Sequence, residues 1–582
     1  MRPNFFHQTR LKRLASALLM GAFCAATGGN AWADASSWVS TTAPDISPDP
    51  GAAGALSTYE LEYSVDADST TIGKHGILVG PADAFGAQEA TKRPVIVFLH
   101  GQHATCLTGT ATSPVPSVPS PYVSCPPANR VPSYKGYLGI QRRLATRGYI
   151  SISIDANEIL DNATLLQAAP EQHLALLKSW TNSAVAPNLF LFGVAQNTDF
   201  SKVVLVGHSV GAPAVNDAAY QNRTSTSAPF WKAVGQVQIS GASYLTNASD
   251  AGVHTLVWLS ECDNINASTQ ANLDLNIHHD YVTLRSAVLV RGANHNYSNS
   301  VWTDDDDDYG SKDAPEKTGL ECRTKDANKQ PVANPIRLSL NDQQTIIKSY
   351  ITAAVSAFVS DDATAWKAID GSPWHLPSSG AAGTSGPEIR VSGKGRRRSD
   401  FVQISADTLN IATSNTGVMT ANLCNYSSCP VSAGMTGAQK AQFWIAYNSA
   451  VAVSVKWSAL GSTVSLTHKP TVDGGLLGVL LPRRQVGLRI GQLPSTAASA
   501  QGPVSMNVKL RDINSNTLDL GDVTINPLVS LAVVGPVWAQ EVRLPLPTAT
   551  NFDLTSVVSL DLTPKSPSSG QIWVADTFSY FP

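Results

Sequence analysis

Val203-Val204-Leu205-Val206 runs without a break into Gly207-His208-Ser209-Val210-Gly211, and small residues follow at Ala212 and Ala214. This stretch restricts the fold more tightly than any other in the chain. Four β-prone apolar residues make a buried strand, and Gly-x-Ser-x-Gly behind them makes a sharp turn into a helix. Such a turn lifts Ser209 to its apex with the hydroxyl outward. A larger residue at 207 or 211 would bring a Cβ into the path of the helix as it folds back on the strand. The bare five-residue pattern recurs by chance. Placed directly after a buried-type strand it is far more specific. The alternative reading is a Gly-rich turn with an idle serine.

The text around this turn alternates strands with helices. Tyr59 to Val65 has period two, and Gly76-Ile77-Leu78-Val79 follows as a second strand. Arg93 to Gly101 is an apolar run suited to a strand buried on both faces. Further strands fit Tyr149 to Asp155, Val234 to Ile239, His254 to Leu259 and Ala287 to Val290, with helices at about 136–147, 158–180, from Gly211, and about 341–359. This predicts class α/β: a doubly wound, mostly parallel sheet over residues 56–365. Residues 366–399 are dense in Gly, Ser and Pro and read as a linker, with a basic cluster at Arg396-Arg397-Arg398. From 400 to 582 helical periodicity nearly vanishes. Short strands between turn residues predict a β-sandwich of jelly-roll type there.

A serine hydroxyl is a weak nucleophile until a base takes its proton, and the base needs a third group to orient it. On a turn of this kind the acid and then the histidine follow later strands. After the 254–259 strand comes Ser260-Glu261-Cys262-Asp263, and after the 287–290 strand comes Gly292-Ala293-Asn294-His295. The expected set is Ser209 as nucleophile, His295 as base and Asp263 as orienting acid, with Glu261 the reserve and Asp250 and Asp280 outsiders. His278 and His279 fall inside a crossover, and His375 and His468 lie beyond this region. The oxyanion donors expected are the backbone N–H groups of Val210 and Gln102. His100, His103 and His208 surround them in sequence; His100 shapes its loop and His208 packs beneath the turn. Tyr297 and Trp302 line an acyl pocket or fill core.

The chain opens with Arg2, Arg10, Lys12 and Arg13, an apolar run from Leu14 to about Ala26, and Ala31-Trp32-Ala33. This predicts a signal segment over 1–33, cut near Ala33, and hence a periplasmic or secreted protein, with a leader at 34–55. Cys24 follows Phe23, which argues against a lipid anchor. Without those residues 37 basic side chains stand against 44 acidic ones, about −7, so bulk charge recruits neither nucleic acid nor an anionic membrane. No later stretch reads as a membrane span. Six cysteines remain: Cys106, Cys125, Cys262, Cys322, Cys424 and Cys429. An even count in an exported chain reads as disulfides, and pairing of neighbours in order is the simplest of the fifteen arrangements. Zinc is the rival, but no pair has C-x-x-C spacing. Asp304 to Asp308 is a run of aspartates; five in succession cannot all face one ion, so a solvated loop is favoured over a calcium site.

Taken together, Phe98-Leu99-His100-Gly101, the Gly207–Gly211 turn, Asp263 and Gly292-Ala293-Asn294-His295 resemble a secreted bacterial α/β-hydrolase of the lipase, cutinase and polyester-hydrolase group. The resemblance spans about 56–365. It implies hydrolysis of a small or polymeric carboxylic ester through an acyl-enzyme, with no cofactor and no metal. Some members of that group join their acid and histidine loops by a disulfide. The 103–132 loop, the acidic 304–330 stretch and the C-terminal region depart from the compact members. Two other functions compete. One is a peptidase or amidase on the same turn. The other is a surface- or polymer-binding protein whose Trp457, Trp538 and Trp573 stack on sugar or polyester; those rings are more often core.

Overall fold

The structure is a computed structural model. It describes residues 41–42, 55–65, 74–110, 113–117, 125–241, 252–260, 262–263, 283–302, 337–371, 374–375, 389–394, 401–405, 409–424, 452–468, 485–492, 502–525, 539–547, 551–554 and 556–580. The signal segment and most of the leader, Glu261, Asp250, Asp280, His278, His279, Asp304 to Asp308, Cys322, Arg396 to Arg398, Cys429 and Trp538 lie outside them.

One nine-stranded sheet organises the first part of the chain. Its strands are β1 (Thr58–Val65), β2 (Lys74–Pro81), β3 (Arg93–Leu99), β4 (Ile150–Ile154), β5 (Thr198–His208), β6 (Ala233–Ile239), β7 (His254–Ser260), β8 (Arg285–Val290) and β9 (Ile389–Lys394). The spatial order is β9-β8-β7-β6-β5-β3-β4-β2-β1. From β8 to β4 every neighbouring pair is parallel. β1, β2 and β9 run antiparallel to their neighbours. Six α-helices stand among the described residues: α1 (Leu138–Ala145), α2 (Ala163–Ser179), α3 (Leu189–Gln196), α4 (Gly211–Thr224), α5 (Leu340–Ser360) and α6 (Ala363–Ile369).

The expected class is corrected by this inventory. Among the described residues twenty-four strands stand against those six α-helices, so the described chain is mostly β rather than α/β, and the large sheet is mixed, with antiparallel strands at both edges rather than a doubly wound parallel array. The physical reason lies at the sheet edges and in the second half. An antiparallel edge strand needs no helical crossover, and no helix occurs among the described residues from 401 onward. A second departure concerns 366–399, expected as linker: it holds the end of α6 and all of β9, which adds the outermost strand beside β8.

Both faces of the central strands are dry. Along β5, Val204 and Val206 point into one core with Phe98, Trp258, Val288, Ile347 and Trp366. Val203 and Leu205 point into the other with Val97, Ile152, Leu174 and Val215. That two-sided burial is why β5 reads as an unbroken apolar run.

The second part pairs two antiparallel sheets. β10 (Phe401–Ser405), β12 (Met419–Cys424), β13 (Ala452–Trp457), β15 (Gln485–Gly491), β18 (Ala539–Pro545) and β20 (Gly570–Tyr580) form one. β11 (Leu409–Thr413), β14 (Val464–His468), β16 (Val504–Asp512), β17 (Thr517–Ile525) and β19 (Val557–Ser566) form the other. Val455, Leu488, Val542 and Ile572 of the first share a single core with Leu466, Val508, Val523 and Leu562 of the second. Trp457 and Trp573 are buried, and Trp457 donates to the carbonyl of Pro567.

The two parts meet at β9. Glu541 of β18 accepts the outward N–H of Gly393 at 3.0 Å and pairs with Arg543 at 2.8 Å. Arg543 also donates to the carbonyl of Asp370 and lies 3.5 Å from its carboxylate. These side chains are almost wholly enclosed. A sheet edge that would otherwise present a bare donor is therefore closed by a charged pair. Glu541→Ala strips the enclosed guanidinium and the Gly393 N–H of a shared acceptor. A loss of about 3–5 kcal/mol is expected, read as a lower urea midpoint, whereas Glu541→Gln keeps an acceptor and loses less.

Candidate active site

The parallel register brings the carboxyl ends of the central strands to one rim. Leu99 stands opposite Gly207, His208 opposite Ile239, and Ser260 opposite Val290. The residues that follow these positions are Gly101, Ser209, Asp263 and, after a short loop, His295. Candidate groups spread over the sequence from 101 to 295 thus share one edge because the strands that carry them end level.

Ser209 sits between β5 and α4 with φ of +55°. A non-glycine residue in this region carries a strain of about 1–2 kcal/mol. The surrounding backbone leaves little alternative. A Cβ at Gly207 would fall 2.3 Å from the carbonyl oxygen of Gly211, so strand and helix touch through main chain alone. A Cβ at Gly101 would fall 2.3 Å from the Cβ of Ser209, so the loop after β3 lies against the serine. The Ser209 N–H is fixed by the carbonyl of Ile239 at 2.9 Å.

His100 defines that loop. Its Nε2 takes the backbone N–H of Ala156 at 2.9 Å and therefore acts as acceptor. The ring proton then lies on Nδ1, which donates to the carbonyl of Gly101 at 2.9 Å. With that carbonyl turned toward the imidazole, the trans peptide directs the Gln102 N–H the opposite way. Gln102 itself is exposed between buried neighbours. Val210 precedes α4, whose first N–H groups have no partner within the helix.

The base and the acid meet directly. His295 Nδ1 and Asp263 Oδ2 are 2.8 Å apart, and both side chains are 1 % exposed. A carboxylate can only accept, so Nδ1 donates to it, and in the neutral ring Nε2 then keeps its lone pair. The two loops are stitched by backbone as well, the Cys262 N–H donating to the carbonyl of Ala293 at 2.7 Å. The ring of His295 lies 5.0 Å, centroid to centroid, from that of His208, which immediately precedes Ser209.

Cys106 and Cys125 are bonded, closing the loop beyond His103. Cys262 and Cys424 are also disulfide-bonded, with partners outside the described residues. Among the described residues no cluster of His, Cys, Asp or Glu could hold a metal ion. No helix there is long and apolar enough to cross a membrane.

Beneath the rim lies a stack that the sequence did not disclose. Trp302 packs between His103, at 4.8 Å, and His208, at 4.6 Å. Its indole N–H is held by Ser133 Oγ at 3.0 Å. The His208 Nδ1 lies 3.1 Å from the hydroxyl of Tyr137. Trp302 is thus a buried plate under the site rather than a wall of it. Tyr297 is half-buried, its ring facing the guanidinium of Arg337. Burial lowers the His103 pKa to about 4 and drives that of His208 well below the ordinary histidine value. On the far side of the sheet burial takes His173, bonded to the Tyr63 hydroxyl, to about 3.

A comparison with known protein families finds no model that matches the chain, and a comparison with curated proteins finds no match.

The buried imidazoles fix the sign of the acid response. The unfolded chain protonates them near pH 6.5, while the folded chain refuses the proton down to about 4 at His103 and lower still at His173. Stability is therefore full above pH 6.5 and lost as pH falls, by up to about 1.4 kcal/mol per group for each pH unit. Urea midpoints should fall steadily from pH 7 to pH 4.5. A midpoint that stays flat over this interval would contradict the assignment.

Proposed function

We propose that the chain is an exported serine hydrolase that cleaves carboxylic esters through an acyl-enzyme. The observation that carries this reading is the enclosed His295–Asp263 pair at 2.8 Å, placed beside the strained turn that bears Ser209. The motif resemblance to secreted lipases and polyester hydrolases favours an ester over an amide. Disulfide bonds at Cys106, Cys125, Cys262 and Cys424 suit an oxidising compartment.

In this mechanism Ser209 Oγ attacks the ester carbonyl while its proton passes to His295 Nε2. Asp263 steadies the imidazolium that forms. The Val210 and Gln102 N–H groups donate to the oxyanion of the tetrahedral intermediate. Collapse of that intermediate breaks the C–O bond, and the alcohol leaves with the proton held by His295. Water then repeats the sequence on the acyl-Ser209 ester, giving the carboxylic acid and the free serine.

A fluorophosphonate probe should label the mature protein at Ser209, and p-nitrophenyl butyrate should be hydrolysed. Ser209→Ala should abolish both, and His295→Ala should lower turnover by at least about 10³-fold. Undiminished labelling of Ser209→Ala would refute the assignment. Faster turnover of peptide amides than of short acyl esters would replace esterase by amidase.

A further inference from the structure

The loop that carries His295 is held by groups at the start of a distant helix, foremost the amide of Gln343. α5 opens at Ser339, whose hydroxyl accepts the N–H of Asp342 at 3.2 Å and bonds its carboxylate at 2.6 Å. This double cap fixes the first turn of the helix. Gln343 stands in that turn, fully buried. Its Oε1 accepts the backbone N–H of Asn294 at 2.8 Å, and its Nε2 donates to the carbonyl of the same residue at 2.8 Å. Nε2 also lies 3.2 Å from Ser298 Oγ. Gln344 donates to the carbonyl of Tyr297 at 2.6 Å, and the Leu338 N–H reaches the carbonyl of Gly292 at 2.8 Å. The backbone on both sides of His295 is thereby pinned to one rigid helix end.

We propose that Gln343 is a positioning residue for His295: its amide grips both main-chain polar groups of Asn294 and so sets the imidazole against Asp263 and Ser209. The inference rests on the esterase reading above for its catalytic consequence and on the loop geometry alone for its structural one. Both main-chain polar groups of one buried residue are engaged by one planar amide, which matches them as an adjacent strand would. A hydrophobic side chain of the same size would fill the space and leave both groups unpaired. An amide withdrawn by one methylene could reach only one.

The test compares the full-length protein with Gln343→Asn and Gln343→Glu. Two readouts are used: kcat and KM on p-nitrophenyl butyrate, and the far-downfield proton resonance of the His295 Nδ1–H bonded to Asp263. Gln343→Asn is expected to lower kcat by about 10-fold to 10²-fold, with KM changed by less than about twofold. The downfield resonance should broaden through exchange with water. Gln343→Glu, which in its protonated form keeps one donor and one acceptor at the same reach, should restore most of both. If Gln343→Asn destabilises the fold, the rescue by Gln343→Glu and the resonance at low temperature still decide the matter. A folded Gln343→Asn variant with unchanged kcat and an unchanged resonance overturns the proposal. A wild-type protein that shows the resonance, loses it in Gln343→Asn, and hydrolyses no ester overturns the esterase reading while leaving the positioning role intact.

Discussion

Main-chain crowding at the end of β5 is the constraint on which the rest depends. Strand, loop and helix converge within touching distance of Ser209, and only glycine at 207 and 101 lets them do so. The reversal forces Ser209 to φ of +55°, a conformation a free serine avoids. The strain is sustained by the sheet below it, in which β5 is hydrogen-bonded on both sides and packed above and below.

Around that turn the rim gathers several imidazoles, each held in a defined setting. Three histidines are fixed by different means. His100 is locked by a backbone N–H on one nitrogen and a carbonyl on the other. His208 is held by Tyr137 and stacked on Trp302. His295 is committed by a carboxylate. Burial keeps His103 and His208 uncharged at neutral pH, so neither places a standing positive charge beside His295.

How much of this was legible in the sequence varied with the range of the interactions involved. Strand β5 and the turn behind it were plain, since a dry strand is an apolar run and a tight reversal needs glycine. Asp263 and His295 followed from their places after β7 and β8. The strand-only second half was legible from its turn-punctuated text, but the antiparallel edges of the large sheet leave no mark on the alternating text of the middle. Helix α3, Leu-Phe-Leu-Phe-Gly-Val-Ala-Gln, has no polar face and so no 3.6-residue signal. Strand β9 lies in Gly- and Ser-rich text, and its partner β8 is about a hundred residues earlier. Gln343 escaped notice because a glutamine in a helix is ordinarily solvent-facing. The Ser339-x-x-Asp342 cap marks where α5 starts, yet nothing local says that the next side chain clasps the main chain of a residue 49 positions away.

The late arrival of β9 orders the birth of the molecule. Until residue 394 has been synthesised, the flank of β8 carries an unclaimed row of peptide groups, and Gly393 gains its carboxylate cap only once 541 has followed. A chain that emerges from its amino end therefore delivers Ser209, Asp263 and His295 first and the strand that shields their sheet last. During that interval the nascent molecule offers neighbouring copies a template for pairing. A product that stopped short of β18 would hold Ser209, Asp263 and His295 and still be prone to clump.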